Sequence, residues 1–190
     1  MALALIVPIA VAAASPLLQW RTPVYIGAGL AGVAGLGLLL LQPLLALGLL
    51  TETRRDGRQL HRWGGALLVV SVALHIAGLW LTSPPDVVDA LLFRSPTPFS
   101  AWGVIATWAL IATSILSLMR RWRAIRPAIW QLLHAGLALS VVGSTILHAW
   151  LIDGTMGDLS KAVLCGIVAV ATLAAVLSMP VVRRFGRRAS

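Results

Sequence analysis

Four histidines stand at positions 61, 75, 134 and 148, and the members of each pair, 61/75 and 134/148, are fourteen residues apart. On a helix, fourteen residues at 100° each come within about 40° of four full turns, so both members of a pair share one face, about 21 Å apart along the axis. Two such helices running parallel bring His61 level with His134 and His75 level with His148. That makes two stations of two imidazoles each. A heme iron takes two axial ligands, and neutral imidazole is a good one.

Other uses of the same residues fit less well. Zinc usually takes three or four protein ligands, whereas each level offers two, and the levels are too far apart to share one ion. A proton relay needs closely spaced ionisable groups, and no acid lies between the levels. A single histidine in an apolar helix reads first as a hydrogen-bonded packing residue. Four in register on two segments read as two heme stations, with His61 and His134 as one ligand pair and His75 and His148 as the other.

The elements that must position them are membrane helices. The sequence is 59% hydrophobic and 11% charged, with a mean hydropathy of +0.92, which excludes an ordinary soluble domain. Six mostly apolar segments are expected, at 3–20, 24–50, 60–82, 99–119, 128–152 and 160–182, each long enough to cross a hydrocarbon core of about 30 Å as a helix. The fold class is therefore all-α, a polytopic membrane protein, with one six-helix transmembrane bundle over 1–190. The third and fifth segments carry the histidines, and both run the same way.

The net charge of +9 is distributed by membrane side rather than along a nucleic-acid face. Arg54, Arg55, Arg58 and Arg62, then Arg120, Arg121, Arg123 and Arg126, then Arg183, Arg184, Arg187 and Arg188 all fall on one side. The other side receives Arg21, Arg94 and Lys161 with Asp86, Asp89, Asp153 and Asp158. The cationic excess puts the arginine-rich side in the cytoplasm, with both termini. Trp20, Trp80, Trp102 and Trp150 mark outer segment ends, and Trp63, Trp122 and Trp130 inner ends, as interfacial rings do. Trp108 reads as a packing residue at mid-depth. A signal peptide over 1–14 is the weaker reading, because no Lys or Arg precedes the apolar run.

Cys165 stands alone in an apolar segment and reads as a small core residue. Gly27, Ala31 and Gly35 form a small-residue series that lets helix backbones approach closely. Residues 83–98 are expected to hold one short helix along the outer surface, Asp86 and Asp89 facing water. Gly64, Gly65, Gly78 and Gly136 lie near the histidines, where they leave room either for a macrocycle or for helix packing. Arg58 and Arg62 flank the inner level, where they serve as topology charges and as candidate partners for heme propionates.

The run RRDGRQLHRWGG from Arg54 to Gly65, continuing to HIAGLW from His75, with WQLLH ending at His134 and HAW from His148, resembles the ferric reductase-like transmembrane domain family. That family includes the membrane part of NADPH oxidases and ferric reductases, and the heme-binding membrane subunit of the bacterial periplasmic methionine sulfoxide reductase system. The resemblance implies a bundle that holds two b-type hemes, His61 and His134 on the inner one and His75 and His148 on the outer one. It implies passage of single electrons across a bacterial inner membrane. Only eight residues follow Val182, so no flavin or nicotinamide domain is expected within this chain. Its partners are then membrane lipid, a separate donor (a flavoprotein reductase or a quinol) and a separate acceptor or partner subunit, without nucleic acid. Two alternatives stay open at this point: a quinol-oxidising cytochrome b-type subunit, which would add a quinone as cofactor, and a non-redox accessory subunit of a larger membrane complex.

Overall fold

The computed structural model describes residues 2–120 and 125–179. Among them are seven α-helices: α1 (Ala2–Ala13), α2 (Pro23–Ala46), α3 (Arg54–Thr82), α4 (Pro84–Leu91), α5 (Pro98–Met119), α6 (Pro127–Leu151) and α7 (Asp158–Ser178). No strand occurs among the described residues. Five helices, α2, α3, α5, α6 and α7, are long and apolar enough to cross a membrane. The chain is a multi-pass helical membrane protein.

Local chemistry sets the helix starts. Proline occupies the first turn of α2, α4, α5 and α6, where its missing N–H has no intrahelical partner to lose. The Thr22 hydroxyl accepts from the Tyr25 N–H at the start of α2, and the Thr53 hydroxyl accepts from the Asp56 N–H at the start of α3. This cap extends α3 to 29 residues, about 43 Å at 1.5 Å per residue, so its arginine-bearing first turns project beyond an apolar core of about 30 Å. Arg54, Arg55, Arg58 and Arg62 are all exposed there.

One expected span is corrected. Residues 3–20 do not make a single crossing helix, because α1 ends at Ala13 and a 3-10 turn follows at Pro16–Leu18. Ser15 precedes a proline, which disfavours helical backbone there, and its hydroxyl accepts instead from the Leu17 N–H. The 12 residues of α1 reach about 18 Å, well short of a membrane core. A cytoplasmic amino terminus rested on that sixth span, and α1 does not supply it.

The helices pair as two hairpins. Helix α2 packs along α3, α5 packs along α6, and α7 bridges by touching both α2 and α6. The core gathers around α2, whose Val33, Leu36, Leu38–Leu41 and Leu45 are buried together with Leu164, Val168 and Ala171 of α7. Cys165 is buried in that core, as its isolation suggested. Lys161, counted among the outer charges, is buried with its Nζ donating to the Ile152 carbonyl and paired with exposed Asp158. Trp108 does not pack inward, being 58% exposed on the outer face of α5. The expected short helix in 83–98 is α4, with Asp86 and Asp89 exposed. Trp122, Arg121, Arg123, Arg183, Arg184, Arg187 and Arg188 lie outside the described residues.

Candidate functional site

Helix α3 meets α2 through a seam of alternating three- and four-residue steps: Gly57, His61, Gly64, Leu68, Ser71, His75 and Gly78. This is the seven-residue repeat of two helices packed at a shallow angle. Fourteen residues are two such repeats, so both histidines of α3 belong to the same seam. On α6 the positions with the same spacing are His134, Leu137, Val141, Ser144 and His148. Ser71 and Ser144, at equivalent places, are both buried.

Packing within the hairpins turns one nitrogen of His61, His75 and His148 toward a neighbouring backbone carbonyl. His75 Nδ1 lies 2.7 Å from the Ala28 carbonyl oxygen on α2, and His148 Nδ1 lies 2.8 Å from the Phe99 carbonyl oxygen on α5. Both carbonyls are accessible for one reason. The residue one turn further on is glycine in each case, Gly32 and Gly103, and a Cβ there would sit 3.0 Å and 2.9 Å from the respective Nδ1. With Nδ1–H donating to a carbonyl, the other nitrogen, Nε2, keeps its lone pair, which is how metal-ligating histidines are usually oriented.

At the other level His61 Nδ1 lies 3.2 Å from the Gln42 carbonyl oxygen. The Gln42 side-chain amide competes for it: oriented to suit its neighbours, it donates to His61 Nδ1 and to the His61 carbonyl oxygen at 3.0 Å and accepts from the Gly65 N–H at 3.2 Å. Only the bond to the Gln42 carbonyl leaves Nε2 of His61 free to ligate. His134 Nδ1 is buried without a hydrogen-bond partner among the described residues. Its ring stacks on Trp130 at 4.8 Å and 10°, the Arg120 guanidinium lies 4.0 Å above the Trp130 ring, and Trp130 Nε1 donates to the Leu116 carbonyl.

Across the gap between the hairpins the four imidazoles face each other in two couples. The ring centres of His61 and His134 are 6.2 Å apart, and those of His75 and His148 are 6.4 Å apart. Two imidazoles on opposite sides of one iron, each bonded at about 2.0 Å, have centres just over about 6 Å apart. The spacing of each couple thus fits a metal with two axial nitrogens. No group of three or more His, Cys, Asp or Glu gathers among the described residues, so each level offers two imidazoles from this set and no third ligand.

Of the other expected site residues, Arg58 and Arg62 are exposed at the start of α3. Arg58, three residues before His61, lies on the histidine face, and Arg62, the next residue, is about 100° round the helix. The glycines divide differently from expectation. A Cβ at Gly64 would meet the Gln42 amide at 2.7 Å and one at Gly78 would meet Ala28 at 2.7 Å, so these serve the α2–α3 contact, while nothing lies within 4 Å of Gly136. The glycines that make room for imidazoles are Gly32 and Gly103, which sequence reasoning did not connect to the histidines. A signal was present: residues 28 and 42 on α2 and residue 99 with its fourteen-residue successor on α5 repeat the histidine spacing.

The sequence matches the family described as "Ferric reductase like transmembrane component" over residues 29–145, more than half of the chain. The matched stretch contains His61, His75 and His134, and His148 follows it by three residues. No curated protein and no solved structure matches the chain.

Proposed function

Because the chain belongs to the ferric reductase-like transmembrane family, we propose that it holds two b-type hemes and conducts single electrons across the membrane between a separate donor and a separate acceptor. His61 and His134 hold the heme at the arginine-rich level, and His75 and His148 hold the one at the opposite level. The observation that carries this reading is the pair of opposed imidazole couples, 6.2 and 6.4 Å between ring centres. When bound, heme supplies one-electron exchange at its iron.

The chain's own residues do the remaining work. The Ala28 and Phe99 carbonyls fix the tautomer and rotation of His75 and His148, so each offers a lone pair in a set direction. Helices α3 and α6 keep water from the ring faces, and the fourteen-residue spacing sets the two levels about 21 Å apart along the axis. Arg58 and Arg62, exposed at the start of α3, would pair with the propionates of a bound heme through charge-assisted hydrogen bonds.

The arginine-rich side is the cytoplasmic side of a bacterial inner membrane by the positive-inside rule. There Arg54, Arg55, Arg58, Arg62, Arg120 and Arg126 attract an acidic donor surface, with an association rate that falls as salt rises. A reduced-minus-oxidised spectrum of the purified chain tests the reading. A b-type band with two hemes per chain by pyridine hemochrome is the expected result; the absence of any b-type band rejects it, and a reproducible ratio of one rejects the paired levels. Reduction by a quinol analogue would identify the donor as a quinol.

A further inference from the structure

The two hairpins share one antiparallel register, and it assigns each histidine a carbonyl on the neighbouring helix. On α2 and α3 the bonded pairs are His75 with Ala28 and His61 with Gln42, so stepping back fourteen residues on α3 matches stepping forward fourteen on α2. On α5 and α6 the outer pair is His148 with Phe99. The same step leads to His134 opposite Thr113. The bond from the Trp130 indole to the Leu116 carbonyl, about one turn further along, lies within one residue of that register.

The Thr113 carbonyl is already occupied. It accepts from the Ser117 hydroxyl at 2.8 Å, and as an α5 carbonyl it also accepts the helical N–H of residue 117. A carbonyl oxygen has two lone pairs, and Ser117 takes both. At the three other stations the residue in the place of Ser117 is Gly32, Ala46 or Gly103, none of which carries a hydroxyl, so the second lone pair is left for an imidazole. His134 Nδ1 accordingly has no partner.

We propose that Ser117 is a positioning residue that raises the reduction potential of the inner heme, by withholding from His134 the backbone carbonyl that the other three histidines receive. This rests on the two-heme reading. An imidazole whose Nδ1–H donates to a carbonyl is the more basic ligand and stabilises ferric iron more. His134 lacks that bond, so the inner level is the more easily reduced of the two.

The test is a spectroelectrochemical titration of the purified chain, each variant first assayed for two hemes per chain. Ser117→Ala, which copies the Ala46 station, frees the lone pair of Thr113 and should lower the inner midpoint. The expected size is a roughly tenfold fall in the reduced-to-oxidised ratio at fixed poise, about 59 mV for one electron. Ser117→Thr keeps a hydroxyl and should keep the wild-type midpoint. Ala46→Ser should raise the same midpoint, by taking the Gln42 carbonyl from His61. The inner component is identified as the one that persists in His148→Ala. Two hemes per chain with both midpoints unmoved in Ser117→Ala and Ala46→Ser overturns the inference. So does a shift confined to the outer component, or one of opposite sign. A chain that binds no heme at all overturns the two-heme reading instead.

Discussion

At the outer level His75 and His148 each rest against a glycine and donate to a carbonyl at 2.7 and 2.8 Å. At the inner level His61 has a longer bond of 3.2 Å and a competing amide, while His134 Nδ1 has no hydrogen bond among the described residues and its ring stacks on Trp130. The two levels have nearly the same imidazole spacing but different supports. Hydrogen bonds to backbone fix both tautomer and rotation, whereas stacking fixes the ring plane and leaves the proton unassigned. The two levels therefore present nearly the same pair of imidazoles on different supports, by changing only what stands behind each ring.

The largest effects break one level and leave the other. His75→Ala or His148→Ala should reduce the hemochrome ratio from two hemes per chain to one, and the surviving heme should carry the inner-level spectrum. If either variant loses both hemes while the protein still purifies folded, the levels are not independent. An equally sharp test fixes which level is inner. After replacement of Cys165, a cysteine at Asp89 should react with an impermeant thiol reagent on intact cells and one at Arg55 should not; the reverse pattern exchanges the two levels.

A smaller effect is expected where space rather than a ligand is removed. Gly103→Ala brings a methyl 2.9 Å from His148 Nδ1 and Gly32→Ala one 3.0 Å from His75 Nδ1, closer than carbon and nitrogen pack, so the ring must turn away from its carbonyl. Outer-level heme affinity should fall by roughly 10–100-fold, the usual cost of losing such a supporting contact. Heme retention during dilution measures it. The inner level should be untouched, and equal loss at both would mean that the glycines serve general packing.

The smallest effect belongs to the inner stack. Trp130→Leu removes the ring between Arg120 and His134, and stacking of this kind contributes about 0.5–1.5 kcal/mol beyond buried area. Thermal unfolding followed at the inner heme's absorption band should shift by a few degrees, with heme stoichiometry still two. Loss of the inner heme altogether would show that Trp130 holds His134 in place alone.

The amino-acid sequence determined the features that lie along single helices. Apolar length set the spanning segments, the fourteen-residue interval set both histidine faces and their depth, and arginine placement set the charged side. These are local quantities, fixed by the rise and turn of a helix whatever packs beside it. Even so, 3–20 read as one span because hydropathy counts residues, while the break at Ser15 and Pro16 depends on backbone conformation. What stands behind each imidazole was decided by tertiary structure. Whether a carbonyl is open to Nδ1 depends on the register between two helices and on the side chain one turn further along the second, so Gly32, Gly103 and Ser117 acquire meaning only once α2 lies on α3 and α5 on α6. Gly64 and Gly78 follow His61 and His75 by three residues and share their seam, but the room they leave is filled by Gln42 and Ala28 of α2, which only the packing of α2 on α3 decides.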